Sequence, residues 1–248
     1  MNLKEITKEG KAFFLAYDQG LEHGPTDFND KNVDPEKIIE IAEEGEFTGI
    51  IFQKGLAEKY GDKLNKIETP LIIKLNGKTN LVKGDPVSRQ LCSVEEAIQL
   101  GAKAVGYTIY LGSKHESEMM EEFEKIEAKA RDENIPLIVW MYPRGESIEG
   151  KDKKELMAYS ARAGLELGAD IIKIKYEGKK EDLEWAVEAA GKTKIVIAGG
   201  VKKDKGKFLK RIEEIMDAGC IGLAVGRNIW QAEKPLEVSR KISEIIWK

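Results

Sequence analysis

The chain has 248 residues, which is close to the size of one (β/α)8 barrel and is enough to bury a large core. Its 40 basic and 44 acidic residues are interspersed and give a net charge of −4, which argues against a nucleic-acid partner. Because its longest apolar runs fall far short of the ~20 residues that span a bilayer, and because its first residues do not resemble a signal peptide, we expect a cytoplasmic protein that does not bind membranes.

Short β-rich runs alternate with helical patterns along the whole chain, which favours βα units and a parallel sheet. In chain order, the predicted strands are Phe13–Asp18, Gly49–Gln53, Pro70–Asn76, Ala104–Tyr110, Pro136–Tyr142, Asp170–Tyr176, Lys194–Gly200 and Gly222–Gly226. The predicted helices that follow them are Pro35–Glu44, Leu56–Tyr60, Val94–Leu100, His115–Asn134, Lys153–Leu167, Lys180–Ala190, Lys205–Ala218 and Pro235–Trp247. Ser93 with Glu96 and Ser113 with Glu116 are predicted capping boxes.

Eight such units predict an α/β fold, a closed (β/α)8 TIM barrel that forms one domain over residues 1–248. The alternative is an open doubly wound sheet, which usually has fewer strands. The second unit has the weakest pattern, because its helix is short and Gly61 interrupts it. Two distant cysteines and two separated histidines, His23 and His115, predict neither a disulfide framework nor a metal site.

The sixth predicted strand carries two lysines on one face. Side chains alternate along a strand, so Ile172 and Ile174 point towards the outer helices while Lys173 and Lys175 point into the barrel. A lysine among apolar neighbours loses hydration, and its neutral amine can form a Schiff base with a carbonyl group. Lys173 lies one step deeper and is the better candidate, whereas Lys175 could equally well reach solvent.

The ends of the fifth and first strands add candidates for acid–base chemistry. Tyr142, on the same face as Trp140, could donate or accept a proton, and Arg144 could bind a phosphate or carboxylate. Asp18 closes the first strand and could contact a substrate hydroxyl. The alternative for this group is structural: core aromatic side chains, a surface arginine and a carboxylate that accepts hydrogen bonds from turn amides.

Glycine-rich ends follow the seventh and eighth strands, where barrels often bind phosphate. Gly199 and Gly200 precede Lys202 and Lys203, and Gly226 precedes Arg227, so backbone amides and cations could meet an anion there. We therefore expect a phosphorylated substrate. The third strand supplies candidates for a second phosphate, namely Lys74, Asn76 and Lys78.

Five motifs distributed over essentially the whole chain carry a family resemblance. They are Asp18-Gln-Gly-Leu-Glu-His-Gly-Pro25, Trp140-Met-Tyr-Pro-Arg-Gly145, Lys173-Ile-Lys-Tyr176, Gly199-Gly200 and Val225-Gly-Arg-Asn-Ile-Trp-Gln231. With these motifs the sequence resembles the archaeal-type class I fructose-1,6-bisphosphate aldolases. The resemblance implies reversible cleavage of fructose 1,6-bisphosphate to dihydroxyacetone phosphate and glyceraldehyde 3-phosphate. It also implies that no metal or other cofactor is needed, and that the chain forms a homo-oligomer, typically a decamer.

The resemblance also implies individual roles. It selects Lys173 as the Schiff-base lysine, Tyr142 as the general acid/base and Asp18 as the residue that contacts substrate hydroxyls near the scissile bond. From the strand ends and the resemblance together, the candidate substrate-binding residues are Gln19, His23, Trp140, Arg144, Lys175, Ala198, Gly199, Gly200, Gly226 and Arg227. The family often has Ser where this chain has Ala198, so a hydroxyl contact to phosphate would be lost here.

Relatives on the same scaffold leave alternatives open. One group, the 2-amino-3,7-dideoxy-heptulosonate synthases, condenses aspartate semialdehyde with a sugar-phosphate fragment, and another is a thiolase. A barrel that binds sugar phosphates without catalysis is a third possibility. The long loop after Asp18 looks more like the loop of the bisphosphate aldolases.

Overall fold

The computed structural model describes residues 2–200 and 205–248. Eight parallel strands close into a barrel, and each strand pairs with the next one in sequence until β8 returns to β1. The strands are β1 (Ala12–Ala16), β2 (Gly49–Gln53), β3 (Leu71–Lys74), β4 (Ala104–Leu111), β5 (Leu137–Pro143), β6 (Ile171–Ile174), β7 (Lys194–Ala198) and β8 (Gly222–Val225). The pairing of β1 with β8 excludes the open-sheet alternative, and the predicted (β/α)8 barrel is confirmed.

A helix follows each strand, as the sequence predicts. The main helices are α1 (Pro35–Glu44), α2 (Lys54–Lys59), α3 (Val94–Gln99), α4 (Glu116–Asp132), α5 (Lys153–Glu166), α6 (Lys180–Ala189), α7 (Lys205–Asp217) and α8 (Pro235–Ile246). Single helical turns lie at Leu3–Glu5, Gly20–His23, Gly24–Asp27, Gly61–Leu64, Glu146–Ile148 and Arg227–Trp230. The second unit therefore holds two short helices, because the first one ends at Lys59 and a new turn begins at Gly61.

Apart from β2 and α1, the boundaries of the elements differ from the sequence-based expectation by one or two residues. The predicted third strand continues to Asn76, but β3 ends at Lys74, because Asn76–Gly77 leaves the barrel and pairs antiparallel with Arg89–Gln90. The capping box of Ser93 and Glu96 is confirmed. The one predicted at Ser113 is wrong, because α4 begins only after His115, whose backbone N–H donates to the Ser113 hydroxyl.

The buried residues form two layers that follow the strand alternation. An inner cluster fills the barrel, and an outer cluster packs between the strands and the helices. On β6, Ile171 belongs to the inner cluster, while Ile172 and Ile174 belong to the outer one, as predicted. Cys92 and Cys220 are buried free thiols. Within the described ranges, no helix has both the length and the apolar character needed to cross a membrane.

Candidate active site

A pocket of about 490 Å³ opens at the carboxyl ends of the barrel strands. The structure brings the predicted catalytic and substrate-binding residues to its wall: Asp18, Gln19, His23, Trp140, Tyr142, Arg144, Lys173, Lys175, Ala198, Gly199, Gly200, Gly226 and Arg227. Lys202 and Lys203, which the sequence places beside the glycines, lie outside the described residues. Strands 1, 3, 5, 6, 7 and 8 meet here because all strands are parallel and the barrel is closed.

Lys173 lies at the floor of this pocket, on the inner face of β6. The whole residue is only 5% exposed, and its register partners are Trp140 on β5 and Val196 on β7. Burial lowers the pKa of Lys173 to about 8, with the charge of Asp18 opposing the shift and the charge of Lys74 adding to it. A buried lysine with a lowered pKa has a substantial fraction of neutral, nucleophilic amine near neutral pH.

Trp140 forms the surface against which Lys173 rests. The lysine Nζ atom lies 4.8 Å from the centre of the indole ring. The ring can lie inside the barrel because Gly106 on β4 has no side chain, and a Cβ atom there would come within 1.9 Å of the indole. Gly106 therefore determines the position of Trp140, and Trp140 in turn supports Lys173.

Asp18 and Lys74 form a buried ion pair beside Lys173. The Nζ atom of Lys74 lies 3.3 Å from Oδ2 of Asp18, and both residues are at most 6% exposed. Burial alone would raise the pKa of Asp18, but the charges of Lys74 and Lys173 outweigh it and hold that pKa below its usual value. Asp18 is therefore an anion in this pocket and can only accept hydrogen bonds.

Tyr142 lies near the top of β5, two residues beyond Trp140. Burial, and then the charge of Asp18, raise its pKa well above the usual value, so the phenol keeps its proton over the physiological range. Lys175, on the same side of β6 as Lys173, is exposed at the rim, with its Nζ atom 5.6 Å from the centre of the Tyr142 ring. The two lysines thus differ as the sequence suggests, one buried at the floor and one reaching solvent.

Arg144 and Glu22 form an ion pair across the pocket mouth. The guanidinium group also lies over the ring of Tyr110, 5.4 Å from its centre. Burial alone would raise the pKa of Glu22, but Arg144 and Lys74 outweigh it, so the carboxyl is held ionised. Arg144 is therefore oriented by Glu22, which lies in the segment that follows β1.

The segment that follows β1 also binds Arg227, the second arginine of the pocket. Asp27 lies 3.4 Å from a guanidinium nitrogen of Arg227 and 2.6 Å from Nδ1 of His23. His23 therefore reaches the pocket wall while it is tied to Asp27. The residues between Gly20 and Asp27 form two short helical turns, and through Glu22 and Asp27 these turns connect to both arginines.

The glycine loops, Ala198–Gly200 after β7 and Gly226–Arg227 after β8, lie side by side. Asn228 donates from its side-chain amide to the carbonyl of Gly199, at 2.9 Å, and so joins the two loops. A Cβ atom on Gly199 would come within 2.8 Å of Val225, and one on Gly226 within 2.5 Å of the Ala16 carbonyl. Only glycine fits at these two positions, because a side chain would collide with the neighbouring strand. The backbone of both loops therefore lies at the pocket wall.

Sequence reasoning missed Glu22 and Gly106, and it assigned Lys74 only to a possible second phosphate. Glu22 stands inside the most specific motif, but its partner Arg144 lies on the far side of the barrel, and no local pattern connects them. Of the other candidates for a second phosphate, Asn76 is fully buried, and its side-chain amide donates to the carbonyls of Ser88 and Thr108. Lys78 donates to the side chain of Asn80.

The described part of the chain contains no group of three or more His, Cys, Asp or Glu residues placed to hold a metal ion. The reactive groups found together in the pocket are instead an amine, a phenol and a carboxylate, with two arginines above them. This set of groups suits nucleophilic attack on a carbonyl followed by proton transfer.

Comparison with known proteins agrees with this geometry. The family model for DeoC/LacD family aldolases matches residues 12–232. The chain belongs to the DeoC/LacD aldolase family. The matched range runs from the first barrel strand to the short helix after the last one, so the family covers the whole barrel.

Individual relatives give a more specific comparison than the family model does. A fructose-bisphosphate aldolase class 1 from Thermoproteus tenax is 48% identical over 99% of this chain and 93% of its own length. A solved archaeal fructose-1,6-bisphosphate aldolase, with its catalytic lysine covalently bound to a carbinolamine intermediate, superimposes with a TM-score of 0.93 at 47% identity, covering 99% of this chain and 98% of that one. A 2-amino-3,7-dideoxy-D-threo-hept-6-ulosonate synthase from Archaeoglobus fulgidus is 35% identical over 98% of this chain and 89% of its own length.

Proposed function

We propose that this family member is a class I fructose-bisphosphate aldolase, which cleaves fructose 1,6-bisphosphate reversibly into dihydroxyacetone phosphate and glyceraldehyde 3-phosphate. The observation that carries the proposal is the buried amine of Lys173 at the floor of a pocket that also contains a phenol, a carboxylate and two arginines. The relatives named as fructose-bisphosphate aldolases include the one that is 48% identical, whereas the synthase named above is 35% identical.

Lys173 supplies the nucleophile in this mechanism. Its neutral amine attacks the ketone carbon of the open-chain sugar, and loss of water from the carbinolamine gives a protonated imine. When the bond between C3 and C4 of the sugar breaks, its electron pair forms the C2=C3 double bond and the imine nitrogen accepts the imine π pair, while the C4 hydroxyl gives up its proton and becomes the aldehyde. The product on the enzyme is an enamine of dihydroxyacetone phosphate, and glyceraldehyde 3-phosphate leaves. Protonation of the enamine carbon and hydrolysis of the imine release the second product.

Tyr142 and Asp18 serve the proton transfers. Tyr142 keeps its proton over the physiological range, so it is the donor for the enamine carbon. The phenolate that this donation leaves is the matching base in the reverse direction. The Asp18 carboxylate is ionised; it accepts a hydrogen bond from the substrate hydroxyl at the scissile bond and takes the proton of that hydroxyl when the bond breaks. Trp140 supports the lysine, and Gln19 and His23 line the wall towards the first strand.

Two ends of the pocket suit the two phosphate groups. The glycine loops, with Arg227 beside them, offer backbone amides and a guanidinium group to one phosphate. Arg144 and Lys175 lie at the strand 5 and strand 6 side of the mouth and offer two cations to the other. Ala198 lacks the hydroxyl that relatives often have there, so we expect phosphate affinity at the first end to come from the backbone and Arg227.

The deciding experiment is reductive trapping. We expect borohydride, added in the presence of dihydroxyacetone phosphate, to leave a covalent adduct that peptide mapping places on Lys173. Lys175→Met is the matched control and should still be labelled at Lys173, while Lys173→Met should not be labelled at all. Turnover with no adduct on Lys173, or an adduct on Lys175, would disprove the assignment of the nucleophile.

A second assay separates the proposed reaction from those of relatives that share the lysine. Fructose 1,6-bisphosphate is supplied alone, and release of triose phosphate is followed. The proposed aldolase releases both triose phosphates without a second substrate. A transaldolase-type synthase, a thiolase or a non-catalytic sugar-phosphate barrel leaves the bisphosphate uncleaved, so a failure to release triose phosphate would remove the proposal.

We further propose that residues 1–248 form a single domain, and that the chain forms homo-oligomers, as the resemblance implies. Two aromatic side chains on neighbouring helices support the oligomer: Tyr159 on α5 is 67% exposed, and Trp185 on α6 is 54% exposed. Exposed aromatic residues are enriched at protein interfaces. Light scattering tests the assembly, since a decamer and a monomer differ tenfold in mass.

We also propose a cytoplasmic enzyme, because phosphorylated sugars are too highly charged to leave the cytoplasm through a bilayer.

A further inference from the structure

Among the pocket residues that the structure describes, Lys74 is the one buried cation to which the proposed mechanism gives no task. It is the last residue of β3 and lies on the inner face of that strand, opposite Gln53 of β2 and Gly106 of β4. It is 5% exposed, and its Nζ atom lies 3.3 Å from Oδ2 of Asp18. A buried ammonium group is costly without a partner, so this ion pair is what holds Lys74 in its place.

The ion pair decides which of two lysines Asp18 binds. Asp18 shares the pocket with Lys74 and Lys173, and the charges of both lysines act on its carboxyl. Within the described residues, its ion pair is with Lys74, and Lys173 instead rests against the ring of Trp140. If Asp18 paired with Lys173, the carboxylate would stabilise the protonated amine, and a protonated amine cannot attack a carbonyl.

We propose that Lys74 is a positioning residue of the Schiff-base site, which binds the Asp18 carboxylate and thereby leaves the Lys173 amine unpaired. This inference rests on the proposed function, since it assigns the nucleophile to Lys173. Lys74 touches neither the reacting carbon nor the imine in this role. It acts through Asp18, which it also keeps ionised and in place to accept a hydrogen bond from the substrate.

The other charged and titratable groups of the pocket do not duplicate this task. They are Glu22 and His23 after β1, Tyr142 and Arg144 on β5 and after it, Lys175, Tyr176 and Glu177 after β6, and Arg227 after β8. The described pocket residues of β7 and β8 themselves are Ala198 and Ala224, which carry no charge. Arg144 is bound to Glu22 and Arg227 to Asp27, so neither of these two arginines forms its ion pair with Asp18.

The consequence is a measurable change in the titration of Lys173. The charge of Lys74 lowers the pKa of Lys173 and that of Asp18 raises it. Replacing Lys74 by a neutral residue removes the lowering charge and frees Asp18 to pair with Lys173. Since a nearby opposite charge shifts a pKa by about 1–3 units, we expect the pKa of Lys173 to rise by at least about one unit.

The test measures borohydride trapping of Lys173 with dihydroxyacetone phosphate as a function of pH. In Lys74→Met the midpoint of the trapping rate should move to higher pH by about one unit, so that trapping at neutral pH falls about tenfold. Lys74→Arg keeps the positive charge and should restore the midpoint of the unaltered protein. Lys103→Met is the matched control, because that exposed lysine pairs with Glu5 and does not line the pocket.

A double substitution separates an effect through Asp18 from a direct effect of the Lys74 charge. If Lys74 acts through Asp18, Lys74→Met should shift the midpoint much less in an Asp18→Asn protein than in the unaltered one. The double variant also contains neither member of the buried ion pair, so it provides a folded reference should the unpaired Asp18 of Lys74→Met weaken folding.

The outcomes distinguish this proposal from the one on which it rests. An unaltered protein with no adduct on Lys173 removes the proposed function. Trapping on Lys173 with the same pH midpoint in Lys74→Met overturns the role of Lys74 alone. A midpoint that shifts equally with and without Asp18, or one that Lys74→Arg does not restore, overturns it as well.

Discussion

The Nζ atom of Lys173 lies 4.8 Å from the centre of the Trp140 indole ring, and the two residues are register partners on adjacent strands. A cation over an aromatic face is stabilised by about 0.5–2 kcal/mol, which favours the charged lysine. The pKa of Lys173 nevertheless falls to about 8. A decrease of that size means that the charged amine is destabilised by about 3 kcal/mol relative to the neutral one. The cost of burying the charge is therefore larger than its stabilisation by the indole ring.

The burial of Lys173 should cost stability. Its pKa is about 8 in the folded chain and 10.5 as a model value, so between these pH values the unfolded chain binds more protons and stability rises with pH. Lys173→Met removes the buried charge, and we expect it to raise the free energy of unfolding at neutral pH by about 1–3 kcal/mol. Urea denaturation over a pH series measures the difference.

The pH series also contains the check on this prediction. The advantage of Lys173→Met over the unaltered protein should shrink as the pH rises from about 8 towards 10.5, because the unaltered lysine is then neutral when folded. The exposed Lys241→Met serves as the control and should show no such trend. A constant difference across the series would mean that the charge of Lys173 is not the cause.

Tyr142→Phe should slow turnover without preventing imine formation. The phenol is the proposed proton donor, and loss of a positioned acid or base typically costs a factor of about 10²–10⁴ in rate. Borohydride trapping on Lys173 should persist, because the amine does not depend on the phenol for its nucleophilicity. Tyr60→Phe, at the end of α2, is the control for loss of a hydroxyl outside the pocket. Turnover at the original rate would exclude Tyr142 from the chemistry.

Gly106→Ala should displace Trp140 and so disturb Lys173. The added Cβ would come within 1.9 Å of the indole, which is too close for any contact. Overpacking of a core typically costs about 1–3 kcal/mol of folding free energy, and we expect a loss in that range together with slower trapping of Lys173. Gly55→Ala is the matched control, because a Cβ at that exposed position meets nothing within 4 Å. Equal effects of the two substitutions would contradict the proposed role of Gly106.

Arg144→Lys should weaken substrate binding, although it keeps the charge. Arg144 is bound to Glu22, and the planar guanidinium group can serve a carboxylate and a phosphate at once, which a single ammonium group does poorly. We expect KM for fructose 1,6-bisphosphate to rise about tenfold, in line with the ~1.5–3 kcal/mol of a charged hydrogen bond, and kcat to change little. Arg131→Lys, in the exposed pair with Glu127, is the control and should leave KM unchanged. An unchanged KM in Arg144→Lys would remove this arginine from the phosphate site.

Much of the fold was predictable from local patterns. Alternation along the sixth strand separated Ile172 from Lys173, and the structure places the first in the outer cluster and the second at the pocket floor. The number of βα units indicated a closed barrel, and the carboxyl ends of its strands indicated where the pocket lies. These predictions succeed because strand direction and side-chain alternation depend on neighbours in sequence.

The relations inside the pocket were decided only by the tertiary structure. Nothing in the sequence connects Lys74 with Asp18, Glu22 with Arg144, or Gly106 with Trp140, because each pair joins different strands of the barrel or the loops that follow them. The sequence by itself determined that Lys173 points inward, since alternation depends only on its own strand. Whether that lysine is paired or free depends on which side chains the closed barrel brings beside it, and this is a property of distances between strands rather than of order along one.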